Sequence, residues 1–274
     1  MGLYNNIFKG IRLNLNKLGE SEYRIPFLYE KYLKHVDDKI YHSYNIDGTH
    51  IVYFKNPKSF LQSTKEIFSQ NTYKFSSSSQ SPFIIDCGAY IGTSILYFKK
   101  LFPSCKVIGF EPDTDNYKIL DKNINTWHFK DVQVLNEAIW ISNGFVDFQS
   151  NGDMTGHVIE NKKTEKTIRR IKSTRLLDLL EQKVDFLKID IEGAEYDVLI
   201  DCKDNLVNVE NLFIEYHSRF GEEHKLIEIL DILHKSNFKF YIKEAANIYS
   251  EPFIKKMTEN NFDIQLNIFA FRNA

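Results

Sequence analysis

Apolar runs and helical stretches alternate along most of this chain. From Pro82 onward, apolar segments of strand length alternate with segments whose apolar residues recur every three or four positions. The predicted strands are 83–86, 106–111, 132–136, 184–190, 209–216 and 237–243, and the predicted helices are 93–101, 113–124, 174–181, 192–200 and 222–236. Strands that alternate with helices predict a parallel sheet covered on both faces. A last apolar run, 262–271, has no helix after it and predicts one further strand.

The first part of the chain shows a different pattern. Its predicted elements are a helix within 13–36, a hairpin at 41–54 and a helix at 56–70. The hairpin contains Asp47-Gly48, the signal of a two-residue turn, and Asn56 is a suitable N-cap for the second helix. We therefore predict an α+β extension at 1–75 and a main domain at 76–274. The extension either covers the substrate or packs against the sheet edge.

The main domain is interrupted between residues 138 and 172. This part of the chain has short β segments and a polar loop instead of a strand followed by a helix. Residues 151–157 are rich in glycine and polar residues, which suits a mobile flap over a site. A disordered connection is the alternative.

Composition narrows the class of protein. A chain of 274 residues can bury a full α/β core, and its net charge of −2 gives no electrostatic reason to expect nucleic acid or an anionic membrane as partner. The three cysteines have no metal-binding spacing, which predicts reduced, buried side chains in a cytoplasmic protein. No apolar segment is long enough to span a bilayer.

The transition from the first predicted strand to its helix carries the strongest signal. It has the sequence Ile85-Asp86-Cys87-Gly88-Ala89-Tyr90-Ile91-Gly92. A strand, a glycine loop and a helix in this order place backbone N–H groups and the positive helix end beside a nucleotide-like ligand. Gly88 and Gly92 would allow the backbone to approach that ligand closely. The alternative is that both glycines only form a tight turn.

Polar residues also follow the second and third predicted strands. Glu111 ends the second strand, where a carboxylate can accept from the two hydroxyls of a ribose, and Pro112 follows it. Asp113 suits the N-cap of the next helix. Asn136 and Glu137 close the third strand at the same sheet edge, where adenine is commonly bound. A plain surface loop is the alternative for these two residues.

A further polar group follows the apolar strand 184–190. Asp190 lies at the carboxyl end of that strand, the edge at which open α/β sheets bind ligands. We assign Asp190 and Glu192 to an active site, because so many polar groups at one strand end are costly without a ligand. Glu195 we assign to favourable electrostatics at the start of the next helix.

The following strand brings two more candidates to this edge. Strand alternation sends Glu215 and His217 to one side and Tyr216 to the other, so the first two would join Asp190 and Glu192. His217 acts either as a general base toward a substrate hydroxyl or, with Asp190 and Glu215, as a ligand of a divalent cation such as Mg²⁺. A structural histidine with satisfied hydrogen bonds is the third possibility.

Taken together, these stretches resemble the FkbM family of S-adenosylmethionine (SAM)-dependent methyltransferases. The similarity runs from about residue 84 to residue 217, and its most diagnostic string is Lys-Ile-Asp-Ile-Glu-Gly-Ala-Glu at 188–195. It implies a Rossmann-like class I methyltransferase fold, with a seven-stranded, mostly parallel sheet and an antiparallel last strand. Residues 262–271 would form that last strand.

The resemblance also implies a cofactor and a reaction. SAM would be held by Asp86, Gly88, Ala89, Tyr90, Gly92, Glu111, Pro112, Asn136 and Glu137, with Asp86 fixing the loop and accepting from the SAM ammonium directly or through water. The reaction would be methyl transfer to a hydroxyl of a sugar, a glycan or glycolipid, or a polyketide-type product. Tyr90 departs from the family, which often has asparagine at this position.

Two other functions are weighed against O-methyl transfer. A nucleic-acid methyltransferase is disfavoured because the chain has neither an Asn/Asp-Pro-Pro-aromatic box nor a basic face. A SAM-fold subunit without activity is disfavoured because Asp86, Glu111, Asp190 and Glu192 are all present. The expected partner is a small-molecule or glycan acceptor, without nucleic acid, and the sequence assigns no oligomeric state.

Overall fold

The structure is a computed structural model that describes residues 25–38, 40–149, 157–158, 168–246, 248–249, 251, 253 and 262–272. The chain divides into two compact units, residues 1–72 and 73–274. Most of the predicted flap at 151–157 and the first half of the predicted helix at 13–36 lie outside the described residues. Within the ranges given above, no helix is both long enough and apolar enough to cross a bilayer.

The first unit is a small α+β arrangement. Its elements are α1 (Phe27–Leu33), β1 (His42–Asn45), β2 (Ile51–Phe54), α2 (Pro57–Thr64) and a π-helical turn (Lys65–Ser69). The N-cap prediction is confirmed, since the Asn56 side chain accepts from Ser59 N at 3.0 Å. The hairpin loop is longer than the predicted two-residue turn. Ile46 N donates to His50 O, and the Asp47 carboxylate accepts from Thr49 N and His50 N within the loop. The predicted role of residues 1–75 as a cover stays a prediction.

A seven-stranded sheet forms the centre of the second unit. Its strands are β3 (Phe83–Cys87), β4 (Lys106–Phe110), β5 (Val132–Leu135), β10 (Val184–Ile189), β11 (Val209–Ser218), β12 (Lys239–Glu244) and β13 (Ile264–Phe271). In space they follow the order β12-β13-β11-β10-β3-β4-β5. All neighbours pair in parallel except β13, which is antiparallel to both β11 and β12. This order and the antiparallel last strand confirm the predicted class I methyltransferase fold.

Helices connect these strands as the alternating pattern predicts. They are α3 (Thr93–Leu101), α4 (Thr114–Trp127), α6 (Glu195–Cys202) and α7 (Glu223–Lys235), and a 3₁₀ segment (Lys203–Asn208) extends α6. The capping role of Asp113 is confirmed, because its carboxylate accepts from Asp115 N and Asn116 N. Each helix returns the chain to the amino-terminal edge, so the loops that leave the strands gather at the opposite, carboxyl edge.

A second sheet accounts for the irregular region between residues 138 and 175. It has the order β6-β9-β7-β8 and consists of β6 (Ala138–Trp140), β7 (Gly144–Gln149), β8 (His157–Val158) and β9 (Ile168–Arg175). The helix predicted at 174–181 is largely wrong, because β9 continues to Arg175 and only Leu176–Leu179 is helical (α5). The buried positions of β9 are Ile171 and Ser173, between charged residues, so strand alternation is hard to recognise in the sequence.

The core lies between the main sheet and α6 and α7. All six residues of β10 are buried, as expected for a central parallel strand. Two of them are ionisable: Asp185 accepts from Phe83 N and Ser77, and Lys188 belongs to the site described below. Cys87, Cys105 and Cys202 are free and buried, which confirms the prediction of reduced thiols.

Candidate active site

An open cavity lies at the carboxyl ends of β3, β4 and β10, where the chain order of the strands reverses. The space between its walls, counted together with the open solvent at its mouth, is about 640 Å³. Its walls are Gly88, Tyr90, Phe110, Glu111, Pro112, Asp113, Asn116, Ala138, Ile139, Phe148, Asp190, Ile191 and Glu192. The strand-end loops therefore bring the predicted ribose site and two of the predicted active-site acids into one cavity.

Gly88 and Gly92 are both required by the packing of the chain, whether or not a ligand is bound. Gly88 has φ +93°, and a Cβ atom there would lie 1.9 Å from the backbone oxygen of Asp190. Gly92 has φ +89°, and its Cβ would lie 2.8 Å from Leu120 Cδ1 on α4. Gly88 lines the cavity, whereas the missing side chain of Gly92 makes room for α4. Contact of either glycine with a cofactor stays a prediction.

Tyr90 is held in a left-handed backbone conformation. Its φ of +48° lies in the region where asparagine is strongly enriched and a bulky residue is strained. This geometry explains why asparagine suits the position in the family. The Tyr90 N–H donates to Glu111 Oε2 at 2.9 Å, so the loop after β3 is fastened to the carboxylate after β4.

Glu111 is buried against the cavity. Its Oε1 accepts from Asp113 N at 2.9 Å, and the Tyr90 N–H donates to its other oxygen. Burial raises the pKa of Glu111 to about 8, although these backbone donors act in the opposite direction. Each carboxylate oxygen has a second lone pair, so the carboxylate can still accept from a ligand hydroxyl.

Asn136 and Glu137 are engaged with other parts of the protein. Asn136 donates to Glu111 O at 2.8 Å and to Pro112 O at 3.1 Å, and so holds the loop after β4. Glu137 accepts from Lys172 Nζ at 2.6 Å and from the Thr174 hydroxyl, which ties it to β9. Neither residue is part of the cavity wall, where the neighbouring Ala138 and Ile139 are found. Their contact with adenine stays a prediction.

Asp86 is not part of the cavity wall and belongs to a buried ion group with Lys188. Lys188 Nζ lies 3.3 Å from Asp86 Oδ1 and 3.0 Å from Asp190 Oδ2, and it donates to Gly88 O at 2.7 Å. Burial on its own would lower the pKa of Lys188, but the two carboxylates outweigh burial and raise it well above its usual value. Lys188 therefore carries a permanent positive charge. Ser94 donates to the other oxygen of Asp86, whose side chain is fully buried.

Glu195 connects the acidic loop to His217. Its carboxylate accepts from Ile191 N at 3.1 Å and Gly193 N at 3.0 Å, and it contacts His217 Nδ1 at 3.2 Å. Glu195 begins α6, as the sequence indicates, but the prediction that it serves only the helix end is wrong. The residue also fixes the imidazole of His217, and both side chains are buried.

Three acids surround His217 and determine its protonation. Burial on its own would lower the pKa of His217, but Glu195, followed by Glu192 and Glu215, raises it to about 10. His217 Nε2 lies 3.8 Å from Glu192 Oε2 and 3.7 Å from Glu215 Oε1. The imidazole is therefore protonated near neutral pH. The prediction that Glu215 and His217 face the same way, opposite Tyr216 in the core, is confirmed.

Glu192 differs from Glu195 in that one of its buried carboxylate oxygens accepts no hydrogen bond from the described residues. It has φ +57°, lines the cavity, and its buried Oε2 has no hydrogen-bond partner among the described residues. Burial raises the pKa of Glu192 to about 8, against the opposing effect of His217. Ligand atoms of Asp190, Glu192 and His217 lie within 4.8 Å of one another, so these three side chains could also coordinate a cation.

Two residues of the site were missed in the sequence. Lys188 lies inside the diagnostic string, and its signal was a lysine in a buried strand whose only other ionisable residue is Asp185. A buried lysine needs acidic partners, which predicts neighbours on the adjacent strand. Glu195 gave no comparable signal, because an acid in a first helical turn is common without any other role.

Comparison with known proteins identifies the family to which this chain is similar. The family described as the methyltransferase FkbM domain matches residues 86–240. "Methyltransferase sdnD" of Sordaria araneosa is 28% identical over 170 residues, which cover 49% of this chain and 66% of that protein. "2-O-methyltransferase NoeI" of Sinorhizobium fredii is 26% identical over 174 residues, which cover 56% of this chain and 71% of that protein.

A crystal structure of methyltransferase FkbM from Methylobacillus flagellatus KT is also similar. It is 18% identical, with a TM-score of 0.48, and the match covers 76% of this chain and 47% of that chain. The family match spans more than half of this chain, including every strand end that lines the cavity. The chain therefore belongs to the FkbM methyltransferase family.

Proposed function

We propose that this protein is a SAM-dependent O-methyltransferase that acts on a hydroxyl of a sugar, glycan or glycolipid, or polyketide-type acceptor. The observation that supports it best is one cavity that joins a buried carboxylate, Glu111, to the acidic cluster around His217. Family membership supports methyl transfer. The relative named as a 2-O-methyltransferase supports a hydroxyl as the acceptor.

The side chains of the cavity fit SAM chemically. Glu111 offers carboxylate oxygens for the ribose hydroxyls, and the apolar side chains of Ile139 and Phe148 line the same wall, where an adenine could pack. Asp190 supplies negative charge for a ligand with an ammonium and a sulfonium, and Glu192 adds to that charge when the pH is above its pKa of about 8. Asp86 acts on that ligand only through Lys188 and the loop, because its carboxylate is fully buried. Bound SAM would supply an electrophilic methyl group.

The acceptor hydroxyl must lose a proton during transfer, and Glu192 is the group best suited to take it. Its pKa of about 8 lies close to neutral pH, where a general base is most effective. His217 already carries its proton, so it would stabilise the charge on Glu192 instead of acting as the base itself. Glu195 would hold the imidazole in position, and Asp190 would contribute charge at the cavity wall.

A divalent cation is the second candidate mechanism. The grouping of Asp190, Glu192 and His217 favours it. Glu215, which the sequence predicts as a ligand together with Asp190 and His217, lies 3.7 Å from His217 Nε2 but does not belong to this grouping, where Glu192 takes its place. A cation such as Mg²⁺ would acidify the acceptor hydroxyl, but it would have to displace the proton of His217. Transfer that persists after exhaustive chelation would exclude the cation. Loss of transfer that Mg²⁺ alone restores would establish it.

Calorimetric titration of the full chain with SAM tests the central proposal. We expect wild-type protein to bind SAM and Glu111→Gln to bind at least tenfold more weakly, because the amide removes acceptor capacity at the ribose. Glu181→Gln, which changes an exposed glutamate outside the cavity wall, serves as the matched control. Absence of SAM binding to the folded wild-type protein would refute the proposal and leave a non-enzymatic partner subunit.

A further inference from the structure

Strand β12 forms one edge of the seven-stranded sheet. Within the described residues it pairs with β13 alone. Ala245 N, just beyond the strand, donates to Gln265 O at 3.1 Å, and hydrogen-bonded pairs alternate along an antiparallel ladder. Every second residue of β12 counted back from Ala245 therefore bonds to β13. The residues between them direct their N–H and C=O groups away from the sheet, and they are Phe240, Ile242 and Glu244.

This outer edge of β12 is exposed and partly apolar. Tyr241 is 61% exposed, Phe240 is 38% exposed and Ile242 is half-buried. No hydrogen bond from the part of the chain that the structure describes reaches the outward backbone groups. Unpaired backbone groups beside large apolar side chains form a template for one further strand. β12 is therefore suited to pair with a strand of another molecule.

The sequence of β12 is complementary to a second copy of itself. In a two-fold antiparallel pairing, residues with outward backbone groups must lie opposite one another, which leaves few registers. When Ile242 lies opposite Ile242 of the second copy, Tyr241 lies opposite Lys243, and no two like charges are opposite each other. Sliding the copies by two residues in either direction places Lys239 or Lys243 opposite a lysine, which is destabilising. The lysines of this edge therefore select the register centred on Ile242.

We propose that the protein forms a two-fold dimer in which β12 pairs antiparallel with β12 of a second copy, in the register centred on Ile242. The two strands exchange about six backbone hydrogen bonds and join the two sheets into one. Phe240 lies diagonal to Ile242 of the second copy, so these side chains from both copies form one apolar cluster. On the other face, the Lys243 ammonium meets the ring of Tyr241. The net charge of −2 opposes this association only weakly.

Sedimentation equilibrium of the full chain at micromolar concentration tests the dimer. We expect wild-type protein to have twice the mass of one chain. Ile242→Pro removes an N–H that points outward and spares the bonds to β13, so it should weaken the dimer at least tenfold without unfolding the sheet. Ile242→Val, which keeps the N–H and a β-branched side chain, is the matched control and should leave the dimer within about threefold. Circular dichroism checks that both variants are folded.

Paired cysteines test the register. Tyr241→Cys combined with Lys243→Cys places each new thiol opposite the other thiol of the second copy. Such a pair has a Cα distance of about 4.5 Å, which a disulfide can span. We expect the double variant to form a covalent dimer on mild oxidation, seen on a non-reducing gel. Each single variant is a matched control that should not cross-link, and the native thiols are buried.

Three results would overturn the proposal. The first is wild-type protein that is monomeric at micromolar concentration. The second is a folded Ile242→Pro variant that dimerises as strongly as wild-type protein. The third is cross-linking of the double variant that is no faster than that of the single variants. SAM affinity should be the same in every variant, because β12 contributes no residue to the cavity wall. Failure of wild-type protein to bind SAM would therefore refute the proposed methyl transfer and leave the dimer standing.

Discussion

Replacing Lys188 with methionine tests the buried ion group directly. The Lys188 side chain is 3% exposed and that of Asp86 is fully buried, so removing the lysine leaves an uncompensated carboxylate in the core. Loss of one partner of a buried pair costs about 3–5 kcal/mol. The lost hydrogen bond to Gly88 O adds about 1 kcal/mol. We therefore expect Lys188→Met to lower the free energy of unfolding by about 4–6 kcal/mol.

Urea unfolding followed by circular dichroism measures this loss, and a double variant makes it interpretable. Asp86→Asn combined with Lys188→Met removes the carboxylate together with its counter-ion, so stability should recover by at least about 2 kcal/mol. If the single variant does not fold, a folded double variant still shows that the unpaired carboxylate is the cause of the loss. Lys118→Met is the matched control, because its ion pair with Asp115 is exposed and contributes at most about 1 kcal/mol.

Two results would refute this account of the ion group. One is a loss below about 1 kcal/mol in Lys188→Met, which would mean that Asp86 is neutral or solvated in the folded protein. The other is a double variant whose loss equals the sum of the single losses, because independent sites add and coupled sites do not.

Three further predictions concern the loops around the cavity. SAM should bind more tightly as the pH rises through about 8, because Glu111 loses its proton there; calorimetry in Glu111→Gln should show a smaller dependence, which comes from Glu192 in the same cavity, whose pKa is also about 8. The same raised pKa means that the unfolding free energy of ligand-free protein falls as the pH rises from 4.5 to 8, because in this range Glu111 is ionised in the unfolded state but still protonated in the folded state. Gly88→Ala should prevent folding or lower the melting temperature sharply, because its Cβ would lie 1.9 Å from Asp190 O, and unchanged melting would contradict that contact. Tyr90→Asn should lower the unfolding free energy less than Tyr90→Val does, because both variants lose the buried ring but asparagine tolerates φ +48° and a β-branched residue does not; an equal loss in urea unfolding would contradict the strain at this position.

The sequence predicts the central strands of the main sheet well because apolar residues predominate in them. Runs such as 184–189, which is apolar except for Asp185 and Lys188, have few other structural interpretations between helical segments, and their glycine and acidic ends mark the binding edge. β9 was not recognised because its buried positions, Ile171 and Ser173, lie among arginines and lysines. Its pairing with β7 and β6 depends on tertiary contacts that a local pattern does not contain.

The sequence predicts which residues line the site better than it predicts how those residues pair with one another. Glu111, Asp190 and Glu192 reach the cavity as their strand-end positions predict. The pairing of Asp86 with Lys188 depends on the register between β3 and β10, which joins residues far apart in the chain. The protonation of His217 depends on three carboxylates that converge from one loop, one helix start and one strand. Spacing along the chain does not encode such convergence.

The contact between Gly88 and the carbonyl of Asp190 has a mechanical consequence. The two loops touch through their main chains, with no side chain between them that could rotate or compress. A molecule that pushes one loop toward the other must therefore move both of them. Donor and acceptor halves of the pocket would be kept in alignment by this rigid coupling alone.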